Sequence, residues 1–105
     1  MFIKMYQYHI PKESVEEYLN IQEQAAKIYK THLDFHTMYF KSTNDETRWI
    51  EITRYNNETE YKTSIDMINK NQELQNLFQR FEDLLIDQTM ITEEEFTELK
   101  SICTF

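Results

Sequence analysis

Not one glycine occurs in the chain. The loops that wrap phosphates in mononucleotide sites, and the turn that holds a dinucleotide pyrophosphate, need glycine so that the backbone can approach the ligand closely. Neither can be built here. Turns fall instead to Asn and Asp, the other residues that tolerate left-handed backbone.

The stretch 48–61, Arg-Trp-Ile-Glu-Ile-Thr-Arg-Tyr-Asn-Asn-Glu-Thr-Glu-Tyr, organises the rest. Its first half alternates as a strand, with Trp49, Glu51, Thr53 and Tyr55 on one side and Ile50, Ile52 and Arg54 on the other. Its second half opens a helix, because Asn57 with Glu60 three residues later makes a capping box. A strand that turns straight into a helix at an aromatic end is where a small α+β domain often places a pocket.

Residues 2–10 read as a first strand that Pro11 ends, since proline cannot donate to a ladder. Phe2, Lys4, Tyr6, Tyr8 and Ile10 share one side of it; Ile3, Met5, Gln7 and His9 share the other. Ser14 and Glu17 form a capping box for a helix that runs to about His32, with Val15, Tyr18, Leu19, Gln22, Ala25, Ala26 and Tyr29 at helical spacing. Residues 35–42 make a second strand, and the polar loop 43–47 turns it back into the strand 48–55. Helical pattern resumes after Asn57 and continues to about Asp87. The weak run 69–72 breaks or bends it and offers a new cap at Asn71. In the tail, Thr92 and Glu95 could cap a short helix. A final strand from about Thr97 to Phe105, with Leu99, Ser101, Cys103 and Phe105 on one side, suits the sheet better.

The order strand, helix, strand, strand, helix, strand predicts one α+β domain over residues 1–105, a ferredoxin-like βαββαβ fold. It has an antiparallel four-stranded sheet with the helices on one face. The chain is long enough for one real core. With 19 acidic residues against 11 basic ones its net charge is −8, which repels phosphate backbones and anionic bilayers. No nucleic acid and no membrane are expected as partners. No apolar run approaches the roughly 18 residues of a membrane span, and the N-terminus shows no signal-peptide pattern. The one cysteine, Cys103, excludes an internal disulfide, suits a reducing cytoplasm, and is expected as a buried structural thiol.

The layout, the size and above all the segment 50–61, Ile-Glu-Ile-Thr-Arg-Tyr-Asn-Asn-Glu-Thr-Glu-Tyr, resemble the antibiotic-biosynthesis-monooxygenase-like family of dimeric α/β barrels. The resemblance implies a homodimer whose two sheets pack into a barrel, with a pocket in each subunit between sheet and helices. Members include cofactor-free oxygenases of aromatic polyketides, quinol oxygenases and haem-degrading enzymes. The haem-degrading branch uses an Asn on the first strand, a Trp ending the third and a His in the second helical region. The nearest positions here hold Tyr6, Tyr55 and Phe78, and no His follows His36, which argues against haem degradation. The pocket His that many oxygenase members carry early in the second helix is absent too.

The side chains Tyr6, Tyr8, Tyr39, Trp49, Glu51 and Tyr55 share one parity of the first three strands. Such a surface would stack a flat aromatic ligand on Trp49, Tyr8 and Tyr39. Glu51 would act as a base, with Tyr6 and Tyr55 as further polar groups, and no metal or cofactor would be needed. The same surface could instead be the sheet-to-sheet interface of a dimer, because aromatics are enriched there as well. The aliphatic parity (Ile3, Met5, Met38, Phe40, Ile50, Ile52) looks like the side packed on the helices, whereas the resemblance puts Tyr6 and Tyr55 on the helix side. A one-residue slip of register reverses every such assignment. His9, His32 and His36 stand at no metal-ligand spacing, and the run Glu93-Glu94-Glu95 reads as a solvated face. The function expected is a cofactor-free monooxygenase acting on a small flat aromatic or quinol-like molecule. The alternative is a non-catalytic dimeric module of the same fold that binds a small ligand or serves structurally.

Overall fold

Alternating strands and capped amphipathic helices assemble as their patterns require. A computed structural model describes all residues, 1–105. The strands are β1 (Phe2–His9), β2 (Phe35–Lys41), β3 (Arg48–Tyr55) and β4 (Thr92–Thr97); the helices are α1 (Val15–Tyr29), α2 (Glu58–Ile68) and α3 (Gln72–Leu84). One antiparallel sheet forms in the order β2-β3-β1-β4. The helices cover one of its faces, which is the ferredoxin-like arrangement.

The asparagine caps act as expected. Asn57 Oδ1 accepts from the Glu60 backbone N–H at 2.8 Å, and Asn71 Oδ1 accepts from that of Leu74 at 2.9 Å. The helical region accordingly splits in two at residues 69–71. Ser14 is different. It closes a 3-10 turn over Lys12–Ser14 that runs directly into α1, at φ −103° and ψ 4°. A capping side chain needs extended backbone to reach back to the helix, so Ser14 makes no such bond.

The last strand is the main correction. It spans Thr92–Thr97, upstream of the expected segment, and residues 98–105 are irregular. The ladder explains why. A 3-10 turn over Gln88–Met90, capped by Asp87, delivers Thr92 opposite Gln7, and the pairing then runs to Thr97 opposite Phe2. One more bond, Glu98 N–H to the Met1 carbonyl, exhausts β1. Residues 99–105 form no strand, and Cys103 is exposed rather than buried.

The register resolves which face meets the helices. Tyr8 pairs with Trp49, Tyr6 with Glu51 and Phe2 with Tyr55, and these side chains point at the helices. One core cluster joins Phe2 and Tyr55 to Ile21, Ala25, Leu33, Ile68, Leu74 and Leu77; a second joins Tyr8, Ile10 and Trp49 to Tyr18 and Leu85. The aromatic parity is therefore internal, not a sheet-to-sheet interface. Ile3, Met5, Met38, Phe40, Ile50 and Ile52 form the opposite face, which no element of the chain covers; Phe40 is 47% exposed. The helices already supply branched aliphatics, and the gap between them and the sheet is spanned by long rings. No residue adopts a positive φ and no peptide bond is cis. No helix is long and apolar enough to cross a membrane.

Candidate active site

Small residues on α1 make room beneath it. Ala25 and Ala26 face the sheet where larger side chains would close the space, and a cavity of about 260 Å³ opens between sheet and helices. The sheet contributes Tyr6, Tyr8, Thr37, Tyr39, Glu51, Thr53 and Tyr55 as its floor. Gln22 and Tyr29 hang from α1, Tyr61 from α2, and Phe78 and Phe81 from α3. The structure thus brings together five of the six residues singled out from the sequence: Glu51, Tyr6, Tyr55, Tyr8 and Tyr39.

Trp49 is the exception. It lies in the second core cluster, edge-on to Tyr18 with ring centroids 5.1 Å apart, and does not line the cavity. Its place on β3 is one alternation beyond Glu51, past the end of the open space, so it cannot stack a ligand there.

Glu51 ends a chain of hydroxyls. The Tyr8 hydroxyl donates to Glu51 Oε1 at 2.8 Å and lies 2.7 Å from the Tyr18 hydroxyl. Tyr8 has a single hydrogen and gives it to the carboxylate, so Tyr18 donates to Tyr8. Burial pushes the Glu51 carboxyl above the ordinary carboxylate range, and the Tyr8 bond only partly opposes this. Burial likewise raises the phenols of Tyr8, Tyr18, Tyr29, Tyr39 and Tyr55, and pushes Tyr6 up to about 12 against the opposing pull of Lys4. The phenols are hydrogen-bond donors here, not bases. Glu51 and Glu82 are the carboxylates of the lining, Glu51 on its floor and Glu82 exposed on α3.

Two further pairs fix the middle of the floor: Tyr39 donates to Gln22 Oε1 at 3.1 Å, and the Thr37 and Thr53 hydroxyls are 2.8 Å apart. At the far end Tyr61 packs on Tyr55 at 4.7 Å and on Phe2 at 5.4 Å. Lys4, which no pattern on β1 singles out, is only 5% exposed. Its ammonium donates to the Tyr61 hydroxyl at 3.1 Å and to Glu93, lies 3.7 Å from Glu95, and sits over the Tyr6 and Tyr61 rings. Burial alone would depress this ammonium, but its bonds to Glu93 and Tyr61 outweigh that and hold it charged. The acidic run expected to be a solvated face is therefore divided by alternation, with Glu93 and Glu95 turned towards Lys4.

Tyr18, Gln22, Tyr29 and Tyr61 are site residues that strand parity could not find. Their signal was a polar tip on the buried stripe of a helix, for Gln22 and Tyr29 within a turn of the alanine pair Ala25-Ala26. The histidines do not join them: His32 and His36 are exposed, and His9 bonds Thr47 beside Asp45 in the β2–β3 loop. No three His, Cys, Asp or Glu side chains come together as a metal site.

No protein-family model matches the chain, and no curated protein matches its sequence. Solved structures do match its backbone. An uncharacterised NIPSNAP domain protein from Burkholderia xenovorans superposes with a TM-score of 0.73 at 14% identity, covering 100% of both chains. SnoaB, a cofactor-independent oxygenase from Streptomyces nogalater, superposes at 0.72 and 7% identity over 96% of this chain and 95% of its own. A dimeric ferredoxin-like protein from an uncultured marine organism gives 0.70 at 12% identity over 99% and 92%. The fold is that of the antibiotic-biosynthesis-monooxygenase-like proteins. At these identities the likeness is one of backbone.

Proposed function

We propose that the protein binds a small, flat, largely apolar aromatic or quinol-like molecule between sheet and helices, and that Glu51 removes a proton from it. The observation that carries this is the position of Glu51. It is a carboxylate held by Tyr8 on the floor of a largely apolar cavity, with its affinity for a proton raised by burial, whereas Glu82, the other carboxylate of the lining, is exposed. Tyr55 serves as a donor to the substrate, Tyr6, whose hydroxyl donates to Glu93 at 3.5 Å, as a further polar group, and Tyr39 and Tyr8 as walls. Loss of the proton leaves an electron-rich anion that adds dioxygen at a ring carbon bearing hydrogen; Glu51 returns its proton to the peroxide, the O–O bond breaks, and the outer oxygen leaves as water with that carbon's hydrogen, which would make the protein a cofactor-free monooxygenase. The fold shared with a cofactor-independent oxygenase supports this reading.

We further propose a cytoplasmic homodimer. The uncovered sheet face, with Met38, Phe40, Ile50 and Ile52, is a contiguous apolar surface that a second copy would bury, and a dimeric ferredoxin-like protein has the same fold. Sedimentation should give twice the mass of one chain, and Phe40→Glu should give a folded monomer. A wild-type monomer at micromolar concentration would refute the assembly.

The catalytic proposal is tested by oxygen uptake with a naphthohydroquinone, above the rate of its spontaneous oxidation. Glu51→Gln should abolish the enzyme-dependent rate while leaving the circular dichroism and ligand affinity near wild type. Undiminished uptake in that variant removes Glu51 as the base. Saturable binding without uptake by the wild type would make the protein a non-catalytic ligand-binding module.

A further inference from the structure

The cavity has two chemically different ends. Glu51 with Tyr8 occupies one. Tyr55, four residues further along β3 and thus roughly 13 Å away along the strand, occupies the other with Tyr61, whose hydroxyl Lys4 reaches from outside the lining. A proton taken at the first end leaves a negative charge on the substrate, and a delocalised ring carries that charge towards the second.

The second end is built for it. Tyr61 accepts from the Lys4 ammonium, so its own hydrogen remains free, and no group of the protein takes it. The hydroxyls of Tyr29 and Tyr55 line the same cavity and have no hydrogen-bond partner in the protein. Three phenol donors thus stand unpaired in one apolar space, and one is polarised by a buried cation. The Tyr29 and Tyr55 hydroxyls are open to solvent, and a ligand that displaces solvent from them leaves them costly to bury unless it accepts their hydrogens.

Resting on Glu51 as the base, we propose that Tyr61, polarised by Lys4 and flanked by Tyr29 and Tyr55, is the oxyanion-binding group of the site. In the step itself the substrate O–H bond breaks. Its proton goes to the Glu51 carboxylate, and its electron pair stays on the substrate oxygen system, where the phenol donors receive it. The net charge of the cavity does not change. It moves from Glu51 towards the Tyr61 hydroxyl, whose donor strength Lys4 raises while Glu93 and Glu95 balance the ammonium's own charge. Tyr61 touches the anion; Lys4 acts through Tyr61 and is a positioning residue.

The test uses 4-nitrophenol, whose phenolate is read by its visible absorbance, at a pH where the free dye is mostly protonated. The wild type should bind it predominantly as phenolate. Tyr61→Phe keeps the ring packing on Tyr55 and Phe2, and should lower the phenolate-to-phenol ratio of bound dye about tenfold, the scale of one hydrogen bond to a charged acceptor. Lys4→Met should lower it in the same direction at equal occupancy, and Lys4→Arg should restore part of the loss. A merely structural Lys4 would change affinity or stability without moving this ratio. Dye bound only as neutral phenol, or a ratio unaltered in Tyr61→Phe, overturns the assignment and leaves the oxygen-uptake test of Glu51 standing. Failure of the wild type to bind the dye at all overturns both.

Discussion

Removing one oxygen atom from Tyr8 should do more damage than removing one from Tyr18, although the two hydroxyls share a hydrogen bond of 2.7 Å. In Tyr8→Phe the donor to Glu51 at 2.8 Å disappears, a charge-assisted bond of about 1.5–3 kcal/mol. The Tyr18 hydroxyl, fully buried, loses its acceptor in the same stroke, at about 1–3 kcal/mol for an unmet polar group. The combined loss is about 2.5–6 kcal/mol. Tyr18→Phe removes only the outer neutral bond, at about 1 kcal/mol, because Tyr8 goes on donating to Glu51. The double variant should be less destabilised than the sum of the two, since it contains no orphaned Tyr18 hydroxyl. Equilibrium unfolding in urea at fixed protein concentration measures all three, with Trp49 emission as the signal; Tyr18 lies against that ring, so circular dichroism should accompany it. The cost of Tyr8→Phe should grow as pH rises and Glu51 ionises, because the lost bond served the charged form. Equal costs for the two single variants, or an additive cycle, would refute the order of donation from Tyr18 through Tyr8 to Glu51.

Glu51→Gln should change the pH dependence of stability in a defined sense. Burial raises the folded-state pKa of Glu51 above its unfolded value, so the stability it contributes is fully present below the unfolded pKa and is lost as pH rises through the folded one. The variant lacks this loss, and its stability relative to wild type should climb with pH across that window and then level off; a flat difference in urea midpoints would contradict it. Because Trp49 stands outside the cavity, its emission should respond weakly to ligands that bind there, whereas direct quenching at full occupancy would place it in the site after all. Leu74→Ala, at a fully buried position on α3, should cost about 2–5 kcal/mol by thermal or denaturant unfolding, and Asn57→Ala about 1 kcal/mol through loss of its cap.

Where the sequence was informative, it was so through rules of short range. Alternation placed Glu51 and Tyr55 on one face, and the Asn57 and Asn71 caps marked helix starts to the residue. It could not say which face was inside, because both parities of β1 and β3 are apolar; only the docking of helices that bring their own aliphatics settles that rings go inward. It misplaced β4 because Thr92 to Thr97 is acidic and almost wholly exposed, with none of the apolar signature that Leu99, Ile102 and Phe105 display further on. That strand is specified by the ladder of β1 and by Lys4 reaching Glu93, both contacts between residues nearly ninety positions apart. Tyr61 was visible as an apolar helix position, but its free hydrogen depends on a donor from the opposite end of the chain.

The all-negative φ backbone has a consequence for the chain before it folds. Glycine is the residue with the most freedom to lose on ordering, and replacing one by alanine at a compatible position gains about 0.4–1 kcal/mol by narrowing the unfolded ensemble. A chain with no glycine starts from an ensemble already narrowed in this way. It also means that no turn depends on a residue of special chirality. The tip of the β2–β3 loop around Thr43 and Asn44 and the step at Asn56 should accept almost any side chain without backbone strain, which makes these connections natural places to graft a binding peptide or a label while the cavity keeps its shape.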